Sequence, residues 1–112
     1  MLSDAESIDL QKEALQKGQR VLLRAQGGSM RPTVYPGDGL VISGTTPRLG
    51  EIALVWQDNV YLAHRVVAEE EDSWWLLGDA RGCLPHRVPK EAVLGRVIEI
   101  RRAFGGRWRA RG

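Results

Sequence analysis

Six short runs rich in β-branched and aromatic residues follow one another along most of this chain, and none is longer than ten residues. Such runs, bounded by glycine, proline and polar residues, are typical of β-strands. The predicted strands are residues 20–26, 39–43, 51–57, 60–68, 73–78 and 93–102. Between the third and fourth runs, Asp58-Asn59 has the right length for a two-residue hairpin turn. The pattern therefore predicts a mainly β domain, built as a small barrel or a coiled sheet.

A helix is predicted only at the start of the chain, where residues 8–17 are rich in helix-forming side chains and Gly18 ends the pattern. A chain of 112 residues supports one domain with a modest core. We therefore expect an N-terminal helix within residues 1–18, a β domain over residues 19–102 and a basic tail over residues 103–112.

The composition excludes several classes of protein. With 43% hydrophobic and 27% charged residues the chain is typical of globular proteins, and no apolar run approaches the roughly 18 to 20 residues of a membrane span. The N-terminus lacks the basic start and apolar centre of a secretory signal, so we expect a cytoplasmic protein. Cys83 is the only cysteine, which excludes an internal disulfide and a thiolate metal cluster, and leaves a thiol nucleophile as a minor alternative.

The positive charge is concentrated at the C-terminus. The last twelve residues contain five arginines and no acid, whereas the other hundred contain 11 basic and 14 acidic residues, a net charge of −3. Such a tail can contact nucleic acid or an anionic membrane surface. We favour a solvated edge strand with a frayed end, so nucleic acid is not an expected partner, and a weak membrane-surface contact stays open.

One serine lies in a stretch that is unusually rich in glycine and proline, GGSMRPTVYPGDGL at residues 27–40. Such a serine is either a turn residue or a presented nucleophile, and a nucleophile needs a base within hydrogen-bond reach. No lysine lies on a predicted buried strand, where desolvation lowers the pKa of an amine. His64 does lie on a predicted strand and is the natural base. The alternative is a structural histidine whose ring is satisfied by a backbone carbonyl.

The same stretch resembles the G-x-S-M-x-P-T box of the signal peptidase and S24/S26 serine peptidase families. Four further segments resemble later boxes of these families, in the same order: RLGEIALV (48–55), AHRVV (63–67), LLGDA (76–80) and VPKEAVLGRVIEI (88–100). The resemblance covers about 75 residues and implies a signal-peptidase-type fold and peptidase activity.

Residue by residue, the resemblance implies that Ser29 is the nucleophile and His64 the general base, as in the archaeal and endoplasmic-reticulum subtype. It also implies that the Ser29 amide stabilises the oxyanion. The residues expected to contact substrate around the nucleophile are Gly27, Gly28, Met30 and Pro32, because glycines permit close backbone approach and proline stiffens the loop. No metal or organic cofactor is needed.

Three departures from the family pattern shape the prediction. Gly27 stands where many bacterial relatives carry a hydroxyl residue that assists the oxyanion. Residues 81–89 contain no carboxylate to orient His64, which leaves Asp79 as the candidate, with loop capping as its alternative role. Membrane-bound relatives carry a transmembrane helix before the serine box, and this sequence shows none.

The sequence thus predicts a soluble serine endopeptidase with a Ser29–His64 dyad that cleaves an extended leader-like or signal-like peptide. A catalytically silent relative that binds peptide in the same groove is one alternative. A self-cleaving regulatory domain is another, although the chain lacks the Ala-Gly bond that such relatives commonly cut. The peptide or protein substrate and the oligomeric state stay open.

Overall fold

The computed structural model describes the backbone of residues 5–104 and 107–110 and the side chains of residues 8–103. One helix, α1 (Ala5–Gln16), precedes the strands. The strands are β1 (Val21–Arg24), β2 (Gly39–Ser43), β3 (Ile52–Gln57), β4 (Val60–Glu69), β5 (Ser73–Leu77), β6 (His86–Pro89), β7 (Val93–Phe104) and β8 (Arg107–Ala110), with a short 3₁₀ turn at Lys90–Ala92.

The strands form one antiparallel sheet with the order β1-β2-β7-β3-β4-β5-β6, and β8 pairs with β7. The path through the described strands has two ends, β1 and β6, so the sheet is open and not a closed barrel. The mainly β fold with one N-terminal helix is confirmed. No helix within the described ranges is long and apolar enough to cross a membrane.

The β3–β4 hairpin fixes the register on which the site depends. Its turn residues Asp58 and Asn59 have φ of 54° and 61°, the left-handed conformation of a type I′ turn, which asparagine and aspartate tolerate better than most residues. The predicted two-residue hairpin is therefore confirmed. Pairing continues from the turn until His64 lies opposite Ala53 on β3.

Strand β3 is buried on both faces, and it separates two apolar clusters. One cluster includes Ile52 and Leu54 and is covered by Leu15 of α1; the other includes Ala53 and Val55. Alternate residues of a strand point to opposite faces, so the run of four buried residues on β3 contributes to both clusters.

The described strand β6 was not among the predicted strands. β6 is only four residues long and ends at a proline, so it carries little β propensity of its own, and its pairing with β5 provides the order. β8 lies inside the predicted basic tail, where it pairs antiparallel with the end of β7.

Candidate active site

The loop between β1 and β2 holds Ser29 in a series of tight turns. Gly27 has φ of 75°, a conformation that favours glycine. The Arg31 amide donates to the Gly28 carbonyl and the Val34 amide donates to the Met30 carbonyl at 2.9 Å, so the chain coils directly after the serine. Met30 and Val34 are buried in the cluster that contains Leu15 of α1, and they anchor the loop.

Asp38 fastens the far end of this loop, a role that sequence reasoning missed. Its carboxylate is 1% exposed and accepts hydrogen bonds from the Tyr35 and Ala103 amides and from the Arg102 guanidinium at 2.9 Å. A buried carboxylate with three donors is satisfied and rigid. The loop between β1 and β2 is thereby tied to β7. The only sequence signal was the Pro-Gly-Asp-Gly turn itself.

Ser29 and His64 lie within hydrogen-bond distance. The Ser29 Oγ is 2.9 Å from the His64 Nε2, although the two residues are 35 positions apart. The His64 side chain comes from the middle of β4, and the residue is only 9% exposed. Burial lowers the pKa of His64, and the neighbouring His86 lowers it further, while the Asp79 charge opposes both effects. The ring is therefore neutral at pH 7 and able to accept a proton.

The second ring nitrogen of His64 contacts another histidine. His64 Nδ1 is 2.8 Å from His86 Nε2, and the two rings meet edge to face at 70° with centroids 5.1 Å apart. His86 is the first residue of β6 and pairs with Leu76 on β5. Burial lowers the pKa of His86 as well. His86 had no predicted role, although it is the second of only two histidines in the chain.

Asp79 lies in the turn after β5, and its described hydrogen bonds go to residues other than His64. The Arg65 guanidinium donates from Nε to Oδ1 at 2.8 Å and from Nη2 to Oδ2 at 2.7 Å, and the Thr33 hydroxyl donates to Oδ2. The Arg65 hydrogen bonds hold the pKa of Asp79 below its usual value. Asp79 thus joins the loop between β1 and β2 to β4, and its charge acts on His64 only from a distance.

The backbone of Ser29 is held from behind by the turn that follows β5. Its carbonyl accepts the Ala80 amide at 2.9 Å and lies 3.7 Å from the Cys83 thiol, which donates to it. A Cβ on Gly78 would lie 2.6 Å from the same carbonyl oxygen and 2.7 Å from Cys83 Sγ, so only glycine permits this packing. The Cys83 thiol therefore faces a backbone carbonyl, an arrangement that suits packing better than nucleophilic attack.

Two of the three lysines, which the sequence disfavoured as bases, have partners other than Ser29. Lys90 Nζ is 2.6 Å from the Glu69 carboxylate and lies 4.9 Å from the centre of the Trp74 ring. Lys17 pairs with Glu13 along α1. Neither amine contacts Ser29. The basic group within hydrogen-bond distance of the Ser29 hydroxyl is the His64 imidazole, at 2.9 Å.

An apolar cavity of about 330 Å³ opens beside Ser29. Aliphatic side chains from β1, β2, β3 and the loop between β1 and β2 form much of its wall. Tyr61, Leu62 and Ala63 of β4 also line it. Two of the four predicted substrate contacts, Gly27 and Met30, line this cavity. Gly28 is not among the lining residues, and a Cβ at this position would meet the Arg31 side chain; Pro32 lies exposed on the loop. The cavity thus has the size and apolar lining to hold an apolar side chain next to the Ser29 hydroxyl.

The chain matches the protein-family model described as Peptidase S24-like over residues 2–98. The match covers most of the chain and includes Ser29, His64, Asp79 and His86. Comparison with curated proteins gives no significant match.

Proposed function

Because the chain belongs to the peptidase S24-like family, we propose that it is a serine endopeptidase of the histidine subtype that cleaves an extended, leader-like peptide. The observation that carries the proposal is the 2.9 Å contact between Ser29 Oγ and His64 Nε2 at the edge of an apolar cavity. A hydroxyl beside a buried neutral imidazole is the pair that nucleophilic acyl transfer requires. The cavity supplies a place for a substrate side chain.

In the proposed reaction His64 removes the Ser29 proton through Nε2 while Ser29 Oγ attacks the scissile carbonyl carbon. The tetrahedral intermediate collapses when His64 returns that proton to the leaving amine, which gives an acyl-Ser29 ester and a free amine product. Water then attacks the ester with His64 again acting as base. Hydrolysis restores the Ser29 hydroxyl and releases the acid product.

Charge develops on the carbonyl oxygen of the substrate in both tetrahedral states. The Ser29 amide is the donor that we propose for this oxygen, since the backbone of Ser29 is held in place by Ala80 and Cys83 through its carbonyl. A fixed donor stabilises developing charge without reorganising during the reaction. The clamp behind Ser29 thus supports both the attack and the oxyanion.

The proposal is tested by digesting a peptide library with the wild-type protein and with Ser29→Ala, followed by mass spectrometry of the products. Cleavage at defined positions by the wild type and none by Ser29→Ala supports the proposal. Equal cleavage by both proteins overturns it. Covalent labelling with a fluorophosphonate, directed at Ser29, separates an active peptidase from a relative that only binds peptide: an active enzyme is labelled, and His64→Ala abolishes the labelling.

A further inference from the structure

We propose that His86 is a positioning residue that accepts a hydrogen bond from Nδ1 of His64 and so holds His64 in the tautomer that can deprotonate Ser29. The proposal rests on the proposed peptidase function. It assigns to a neutral imidazole the position that a carboxylate occupies in a Ser-His-Asp triad.

The two contacts of the His64 ring define the direction of the hydrogen bonds. Nε2 lies 2.9 Å from Ser29 Oγ and Nδ1 lies 2.8 Å from His86 Nε2. For His64 to accept the Ser29 proton, its Nε2 must carry a lone pair, so its own proton must be on Nδ1. That Nδ1–H then donates to the lone pair on His86 Nε2, and His86 carries its proton on Nδ1.

The sheet fixes this geometry. β5 lies between β4 and β6, so both histidines are held on strands of one hydrogen-bonded array. Arg65, next to His64, pairs with Leu77, while His86 pairs with Leu76. Side chains on paired strands are held in position more precisely than side chains on loops.

A neutral histidine differs from a carboxylate in one respect that matters for the rate. A carboxylate can only accept a hydrogen bond, whereas a neutral imidazole can accept or donate. In the reversed arrangement His86 Nε2–H donates to His64 Nδ1, and His64 Nε2–H donates to Ser29 Oγ, which leaves no base for the serine. A share of the resting molecules is therefore in an inactive tautomer, and a carboxylate at position 86 would remove that share.

Protonation of His86 has the same consequence as the reversed arrangement, because an imidazolium can only donate. The partial burial of His86 disfavours this charged form. Two other titratable groups lie near the histidine pair. Asp79 acts on His64 through its charge and is paired with Arg65, and Cys83, in the same turn, donates to the Ser29 carbonyl. A proton added to either imidazole leaves His64 without a lone pair on Nε2, so the singly protonated pair is inactive.

Steady-state kinetics of three variants test the proposal. His86→Ala is expected to lower kcat by at least about tenfold with KM unchanged, since the tautomer of the base is lost but peptide binding is not. His86→Asn is expected to retain part of the rate, because its amide oxygen accepts from Nδ1–H. His86→Asp is expected to equal or exceed the wild-type kcat and to raise the acid-side midpoint of the rate by about one pH unit or more, because a carboxylate stabilises the imidazolium.

Arg87→Ala is the matched control, since Arg87 is the exposed neighbour of His86 on β6 and pairs with Glu70 at the surface. It is expected to keep the wild-type rate and pH profile. A wild-type kcat in His86→Ala overturns the positioning role. An unchanged acid-side midpoint in His86→Asp also overturns the positioning role. This second measurement decides the question if His86→Ala does not fold.

Nitrogen-15 NMR of the imidazole rings tests the hydrogen bond without any activity. In the wild type at pH 8 we expect most of the His64 signal from the Nδ1–H tautomer, and in His86→Ala a shift towards Nε2–H, the form that free imidazole side chains prefer. The same tautomer population in both proteins overturns the proposal. If peptide cleavage is independent of Ser29, the proposed function fails, and the NMR comparison still decides whether His86 orients His64.

Discussion

Arg65 holds Asp79 through two parallel hydrogen bonds, Nε to Oδ1 at 2.8 Å and Nη2 to Oδ2 at 2.7 Å. The same carboxylate accepts the Thr33 hydroxyl, and Arg65 Nη1 donates to the Gly50 carbonyl at 2.6 Å. Asp79 therefore connects the turn after β5 to the loop between β1 and β2 through Thr33, and to the turn before β3 through Arg65. This arrangement favours a structural role for Asp79 over the orienting role that the sequence suggested.

Replacing Asp79 with asparagine is expected to destabilise the fold more than it slows the chemistry. The variant loses a partly buried bidentate ion pair, and hydrogen bonds to charged groups contribute about 1.5 to 3 kcal/mol. We expect a lower Tm and a kcat per folded molecule close to that of the wild type. Thermal unfolding and active-site titration on one preparation check this. A stable Asp79→Asn protein with a kcat reduced tenfold would instead restore the orienting role.

The contribution of Asp79 to stability is expected to depend on pH. The pKa of Asp79 is lower in the folded protein than in the unfolded chain, chiefly because of the Arg65 hydrogen bonds. Stabilisation is therefore complete above the unfolded value of about 3.9 and is lost as pH falls through the folded pKa. Urea unfolding at pH 7, 4 and 2.5 should show the difference between wild type and Asp79→Asn shrinking towards zero. A constant difference across this range would argue against the ion pair.

Peptidase activity is expected to persist to a lower pH than it would with a histidine base of ordinary pKa. Burial and His86 lower the pKa of His64, and the rate follows the neutral ring. The acid-side midpoint of kcat/KM should therefore lie below about 6.5, with activity present above it and lost below it. A pH profile from 4 to 9 measures the midpoint. A midpoint above about 8.5 would point to a lysine or thiol base.

Gly78→Ala is expected to abolish activity by displacing Ser29. The new Cβ would lie 2.6 Å from the Ser29 carbonyl oxygen, which is backbone and cannot turn away. Gly44→Ala is the matched control, because its Cβ would clash with the Leu15 carbonyl at the end of α1 instead. Both variants should lose stability, and only Gly78→Ala should lose fluorophosphonate labelling among the molecules that remain folded. Normal labelling of folded Gly78→Ala would contradict the clamp behind Ser29.

Ala63→Leu is expected to obstruct substrate binding by filling the cavity beside Ser29. Ala63 lines that cavity together with Met30 and Tyr61, and a larger side chain there competes with an apolar substrate side chain. We expect a higher KM for apolar peptides with a smaller change in kcat. Val67→Leu, at an exposed position of the same strand, controls for the substitution itself. An unchanged KM in Ala63→Leu would place the substrate elsewhere.

Local patterns were enough to predict much of this fold. The β3–β4 hairpin follows from Asp58-Asn59, whose backbone preference is a property of the two residues themselves. The helix end at Gly18 and the glycine-rich loop around Ser29 follow in the same way. β6 was missed because four residues ending in proline carry no strand signal of their own, and the strand exists through its pairing with β5.

The sequence by itself determined which residues could act as nucleophile and base, because Ser29 lies in a distinctive turn and the chain contains only two histidines. The partners of those residues depended on the tertiary structure. His64 meets His86 across 22 positions and Asp79 meets Thr33 across 46, and each contact exists only because the strand order and register bring the two side chains together. Because residues 81–89 contain no carboxylate, Asp79 was left as the candidate orienting group, but charge-assisted hydrogen bonds from Arg65 bind that carboxylate and leave Nδ1 of His64 to His86.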